Sequence, residues 1–161
     1  MRTAIALAAF LAASSAHAEI IGRASVIDGD TIEIQGQRIR LHGIDTPEKG
    51  QTCEDASSQP YRCGTKAAFA LADYIGQSPV TCQERDTDRY GRIVGKCFVR
   101  GESVNAYMVR SGWAAAYRRY SSEYDGEEQA AKNSKRGIWA GSFEMPWDWR
   151  KHKREGRGEG F

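Results

Sequence analysis

The stretch Thr31–Leu41, TIEIQGQRIRL, decides how this chain folds. Apolar and polar residues alternate on either side of Gly36, with Ile32, Ile34, Ile39 and Leu41 on one face. A period of two with β-branched residues on one side is the pattern of a half-buried strand, and a glycine between two such runs marks a tight turn. The stretch therefore reads as a hairpin centred on Gly36, with position 30 facing roughly position 42. Asp45 lies just beyond that end, so it returns to the end of the sheet that carries Asp30. With strands about 4.8 Å apart, Asp28, Asp30, Asp45 and Glu48 converge to within about 10 Å. Carboxylates that close need a cation or protons to coexist, and hard oxygen ligands on flexible loops suit Ca²⁺. Arg38 and Arg40 share the strand face opposite Ile39 and Leu41.

Outward from the hairpin, Ile20–Asp28 (IIGRASVID) is apolar and β-branched and supplies a strand before it. Lys49–Gly64 is polar, contains Pro60 and reads as a loop. Thr65–Ile75 (TKAAFALADYI) has helical spacing, and Gly76 ends it. Pro79–Cys82 and Arg92–Val99 form a second hairpin. Ser103–Trp113 is a short helix capped by Ser103, and Ser121–Gly137 a polar helix ended by Gly137. The fold class is mainly β with α (α+β). Three meandering strands, a helix, two strands and further helices describe a five-stranded OB-fold barrel with about three helices, a common host for oligonucleotides.

At the start of the chain, Met1 and Arg2 form a basic n-region, Ala4–Ala13 an apolar run, and Ala16–Ala18 (AHA) small residues at a cleavage position. Residues 1–18 therefore read as a signal peptide, and the expected localisation is exported, periplasmic or secreted. No later stretch is long and apolar enough to span a membrane. A single OB-fold domain is expected over 19–149, with 150–161 a basic, unstructured tail. That tail (RKHKREGRGEGF) carries five basic and two acidic residues, in a chain of net charge +2. The body is thus slightly acidic, and polyanion binding must come from a local patch.

Four cysteines in an oxidising compartment suggest disulfides. Cys82 and Cys97 lie symmetrically about the turn RDTDRYGR, so an antiparallel hairpin centred there sets them opposite each other. Cys53 and Cys63 then close the polar loop CEDASSQPYRC. A tetrathiolate zinc site is the rival, without C-x₂-C spacing in its favour.

A metal, a free carboxylate and guanidiniums directed at one point are what phosphodiester cleavage needs. Arg92, which opens the strand after the second turn, can join Arg40 there. An EF-hand loop starting at Asp28 fails, because its sixth and twelfth positions are Glu33 and Ile39. An aspartic protease fails because DTP lacks the following glycine. The plain alternative is a pair of turn-capping aspartates beside solvated arginines.

These residues closely resemble the staphylococcal nuclease (thermonuclease) family. VIDGDTIEI, RIRLHGIDTPE, DRYGRIVGKCFV, SVNAYMVRSGWA and KRGIWA occur in order over most of the chain. The resemblance implies metal ligation by the carboxylates of Asp30 and Asp45 and the main-chain carbonyl of Thr46. It implies Glu48 as base for the attacking water and Arg40 and Arg92 as the phosphate-binding pair. It also implies Ca²⁺-dependent hydrolysis of DNA and RNA with little sugar specificity, leaving 3′-phosphate ends, on an OB barrel. The staphylococcal chain differs in having a proline where AAAYRRYSSEYDG has none. Arg89 and Tyr90 match pocket residues of the family, and Tyr117 and Tyr120 offer a further stacking wall. His42, Trp113, Trp139, Trp147 and Trp149 read as packing residues. The expected partner is DNA or RNA, single-stranded preferred, acted on by a monomer. A non-enzymatic OB module binding single strands is the alternative, and an extracellular interaction domain a third.

Overall fold

The computed structural model describes residues 19–158. The signal-peptide expectation for 1–18 lies outside the described residues. The strands are β1 (Glu19–Gly22), β2 (Ala24–Asp28), β3 (Thr31–Ile34), β4 (Gln37–Leu41), β5 (Ile44–Asp45), β6 (Cys53–Glu54), β7 (Pro60–Tyr61), β8 (Val80–Thr87), β9 (Ile93–Val99), β10 (Glu102–Ser103) and β11 (Ala115–Ala116). The helices are α1 (Cys63–Ile75), α2 (Val104–Arg110), α3 (Asp125–Asn133) and α4 (Pro146–Gly158), with a 3₁₀ turn at Gly137–Ala140.

The β3–β4 hairpin is present with a small change of register. Thr31 pairs with Arg40, Ile32 with Ile39 and Ile34 with Gln37. The turn is therefore the pair Gln35–Gly36, both left-handed at φ 51° and 80°, as the right-handed twist of a two-residue hairpin requires. Its centre lies between these residues instead of on Gly36, so Asp30 faces Leu41, whose N–H donates to the Asp30 carbonyl at 2.7 Å.

The sheet order β1-β8-β9-β4-β3-β2 begins and ends on the same run of chain. β1 pairs antiparallel with β8, and β2 pairs antiparallel with β3. Only Arg23 separates them, so one bent strand serves both edges and the sheet closes on itself. Counting β1 and β2 as one gives the five strands of an OB-type barrel. β4 and β9 run parallel, Ile39 beside Ile93. β8 and β9 form the second hairpin, with Cys82 opposite Cys97. Both expected disulfides are present, Cys53–Cys63 and Cys82–Cys97.

Ile32, Ile34, Ile39, Leu41, Val80 and Val99 fill the barrel and are fully buried. α1 closes one end with Ala67, Leu71 and Ile75, and α2 packs Val104, Met108 and Val109 into the same cluster. Burying such a side chain contributes roughly 1.5–3 kcal/mol before conformational entropy is counted. Ser103 caps α2, accepting from the Ala106 N–H at 3.2 Å. α3 stops at Asn133, four residues before Gly137, because Lys135 takes a left-handed φ of 49°.

The end of the chain differs from the sequence expectation. Instead of an unstructured tail from Arg150, helix α4 runs from Pro146 through Gly158. Proline suits the first helical position, where its missing N–H costs nothing. Trp147 and Arg150 then dock the first turns onto the barrel, an anchor that the basic composition of the segment conceals.

Candidate active site

Asp30 follows β2 at the bulge before β3, and Asp45 ends β5, which is held in place by β11 through the Asp45–Ala115 pair. Both carboxylates are buried, Asp45 completely. Arg40 projects from β4 between them. Its Nη1 donates to Asp30 Oδ1 at 3.1 Å and its Nη2 to Asp45 Oδ1 at 2.9 Å. Nη2 also lies 3.1 Å from Asp30 Oδ2. Two carboxylates separated by fifteen positions of sequence thus share one guanidinium nitrogen. Thr31 Oγ1 and, at 3.4 Å, the Thr46 N–H also donate to Asp30. The Asp30 pKa is raised to about 7, above all by burial, with Arg40 opposing the rise and Asp28 and Asp45 adding to it. For Arg40 burial opposes the charge, but Asp30 and Asp45 hold its pKa above the ordinary arginine value.

Glu48 sits on the loop after β5, and three features fix its backbone. Its N–H donates to Gln51 Oε1 at 3.1 Å, while the Gln51 N–H donates to the Glu48 carbonyl at 2.7 Å. Gln51 Nε2 donates to the Glu144 carbonyl at 2.6 Å, tying this loop to the segment before α4. Gly64, in the first turn of α1, packs so closely that a Cβ would stand 1.9 Å from the Glu48 carbonyl oxygen. The Cys53–Cys63 bridge holds the far side of the loop. A lone buried glutamine carries no periodic or motif signal, and sequence reasoning missed Gln51.

Across the cleft, Asp88 takes Nε of Arg92 at 2.7 Å and its backbone N–H at 3.0 Å. That grip leaves the terminal nitrogens of Arg92 available for another acceptor. Tyr90 is exposed, with the Arg89 and Arg92 guanidiniums 4.9 and 5.6 Å from its ring centre. Tyr117 stacks on Trp147 at 5.2 Å with planes 5° apart, and Tyr120 meets Tyr117 edge-on at 5.0 Å. Trp147 packs on Tyr117 at the start of α4 and, like His42, also borders the cleft.

All the catalytic candidates except Asp45, and all four substrate-binding candidates, line one cleft of about 1460 Å³. Asp45 lies beneath it, fully buried. This exceeds the 300–1,000 Å³ typical of small-molecule pockets and suits an extended polymer. Arg38 lies elsewhere, exposed and paired with Glu33.

One site residue was not anticipated. Arg150 of α4 reaches into the carboxylates, with Nη1 donating to Asp45 Oδ1 at 3.0 Å and to Glu48 Oε1 at 2.7 Å, and Nη2 to Asp45 Oδ2 at 2.7 Å. Burial opposes its charge, but Asp45 and Glu48 hold its pKa above the ordinary arginine value. The available signal was Pro146 at a helix start before an aromatic run.

Buried carboxylates with hard oxygens fit a divalent cation in donor chemistry. Among the described residues, however, no three acidic, histidine or cysteine side chains are spaced as a ready cage. Guanidiniums stand between the carboxylates instead.

The family model described as "Staphylococcal nuclease homologue" matches residues 38–141. The succinoglycan biosynthesis protein ExoI of Rhizobium meliloti is 44% identical over 83% of this chain and 72% of its own length. Protein ParB of Escherichia coli is 38% identical over 99% of this chain and 96% of its own. The micrococcal nuclease of Shigella flexneri is 33% identical over 78% of this chain and 77% of its own.

Proposed function

Because this chain belongs to the staphylococcal nuclease family, we propose that it is a Ca²⁺-dependent nuclease that hydrolyses DNA and RNA with little sugar preference, leaving 3′-phosphate ends. The observation that carries this reading is the convergence of Asp30, Asp45 and Glu48 with Arg40 at one cleft, across which Arg92 stands. Nuclease names among the relatives support it, although ExoI and ParB carry other names.

In this reading Asp30, Asp45 and the Thr46 carbonyl hold the cation. When bound, the cation offsets negative charge on the attacked phosphate. A carboxylate oxygen of Glu48 takes the proton of the attacking water. The water oxygen bonds to phosphorus, and the bond to the 5′-oxygen breaks, that oxygen taking a proton from solvent to leave as a hydroxyl, so the phosphate stays on the 3′ side. Arg40 and the terminal nitrogens of Arg92 donate to the phosphate oxygens as charge accumulates on them. Tyr90, with Arg89 beside it, and the Tyr117–Tyr120 wall receive unpaired bases, which favours single strands. The leader-like residues 1–18 support export to the periplasm or the medium.

A purely binding OB module is the second reading. Buried carboxylates at the phosphate site weigh against it, since they repel a polyanion and serve no purpose in binding alone. The discriminating experiment incubates the protein with denatured DNA in Ca²⁺ or in excess chelator. Fragments with 3′-phosphate ends in Ca²⁺ alone are expected. Intact DNA in Ca²⁺ overturns the enzyme reading, and equal cleavage in chelator overturns the metal assignment.

A further inference from the structure

Arg150 lies beyond the residues matched by the family model, on a helix that the core motifs do not cover. Its contacts go to two of the three acidic side chains that the proposed reaction needs. A carboxylate has about four lone-pair sites. On Asp30, Oδ1 receives Thr31 and Arg40, and Oδ2 receives the Thr46 N–H and Arg40. On Asp45, Oδ1 receives Arg40 and Arg150, and Oδ2 receives Arg150. Seven of the eight sites on this pair therefore have a donor. Arg150 supplies two of them and also holds Glu48.

We infer that Arg150 is a tethered cation competing with the divalent metal for Asp45 and Glu48, and that it thereby sets the metal affinity of the site. This inference rests on the reading that Asp30 and Asp45 hold a divalent cation. The geometry favours competition over coexistence. A metal ion and a guanidinium cannot share one lone pair, and Arg150 covers both oxygens of Asp45. The guanidinium is only partly exposed, and the carboxylate it grips is fully buried. Without metal, Arg150 satisfies a buried charge that would otherwise be costly. With metal, that role passes to the ion, and the guanidinium is released at the cleft mouth beside Lys151 and Arg154. Arg150 is thus a positioning residue that stands in for the metal.

The test is calorimetric titration of CaCl₂ into the metal-free chain and into Arg150→Gln, Arg150→Lys and Arg154→Gln variants, each checked for folding by circular dichroism. Losing a charge-assisted competitor should tighten Ca²⁺ binding by about tenfold in Arg150→Gln. Arg150→Lys, which keeps the charge but loses the two-pronged grip, should fall between. Arg154→Gln, which removes a charge one turn further along α4, should change affinity by less than about twofold. Thermal melting supplies the second readout. Arg150→Gln should melt below the parent without metal, and the gap should narrow in saturating Ca²⁺. Unchanged or weaker Ca²⁺ binding in Arg150→Gln overturns the inference, as does a melting gap that Ca²⁺ leaves intact. If no form of the chain binds Ca²⁺, the metal reading itself falls, an outcome distinct from equal binding by all.

Discussion

In the proposed reaction Glu48 can act as the base only where its backbone holds it, and the lack of a side chain at residue 64 lets α1 pack against that backbone. Any side chain on Gly64 meets the Glu48 carbonyl at 1.9 Å, so Gly64→Ala must displace the loop. We expect turnover to fall by at least about tenfold, with a smaller change in KM, since misplacing a catalytic group by about 1 Å can cost 10²-fold. Full turnover in the variant would mean that Glu48 is not the base or that its position is uncritical. With Glu48 as the proposed base and Arg92 as a proposed phosphate ligand, Glu48→Gln and Arg92→Ala should each lower kcat by roughly 10²–10⁴-fold in steady-state cleavage assays. Undiminished kcat in either removes that residue from its role. The convergence of Asp30, Arg40, Asp45 and Glu48, with Arg92 across the cleft, was legible because each sits in a spaced motif. Gln51 and Arg150 were not, since each works through one contact made by distant chain: Gln51 to the Glu144 carbonyl, Arg150 to Asp45.

The hairpins were readable at the level of elements because their faces alternate; α4 was not, because its docking surface is Tyr117 and the buried Asp45 carboxylate, both from other segments. α3 shows how such docking is held. Its Glu128 is buried, accepts from the Ala116 N–H at 3.0 Å, and pairs with Arg118 and Lys132 at 2.8 Å each. Burial pushes its pKa up, but Lys132, Arg118 and the Ala116 N–H together hold it below the ordinary glutamate value. A depressed folded pKa means that this contribution is present above the unfolded value of about 4.5 and is lost as pH falls through the folded one. Glu128→Gln should therefore destabilise by roughly 1–3 kcal/mol at about pH 7. The gap between parent and variant in urea midpoint should shrink toward about pH 3. A gap independent of pH would show that the Glu128 charge does not hold α3. Asn105 acts similarly on α2, its side chain accepting from the Cys97 N–H and donating to the His42 and Gly95 carbonyls.

For the whole molecule, the two disulfides should separate stability from function. Cys82–Cys97 lies in the barrel wall, fully buried and away from the cleft. Replacing both by alanine should cost about 3 kcal/mol from the 15-residue separation, with a further loss for the vacated volume, while kcat is kept. Replacing Cys53 and Cys63 should cost a similar amount but also reduce kcat, because Cys53 ends the loop that carries Glu48 and Cys63 precedes the Gly64 that packs against the Glu48 backbone. Urea titration and initial rates on the two double variants decide this; equal loss of turnover in both would deny the separation. The closed barrel was expected from the strand order β, β, β, helix, β, β, but not the use of one bent strand at both edges. Arg23 offers no break signal, and only the pairing of β1 with β8 shows the closure.

That closure carries a cost in time. β1 and β2 come early in the chain, yet Ile20 cannot meet its partner Cys82 until about sixty further residues have been made and ordered. Long-range pairing of this kind slows folding, and until it forms, the unpaired edges of β1 and β8 are both templates for another chain. Refolding should therefore partition between ring closure, which does not depend on concentration, and edge-to-edge association, which does. The same seam that joins β1 to β8 in the finished barrel makes dilution the variable that governs refolding yield.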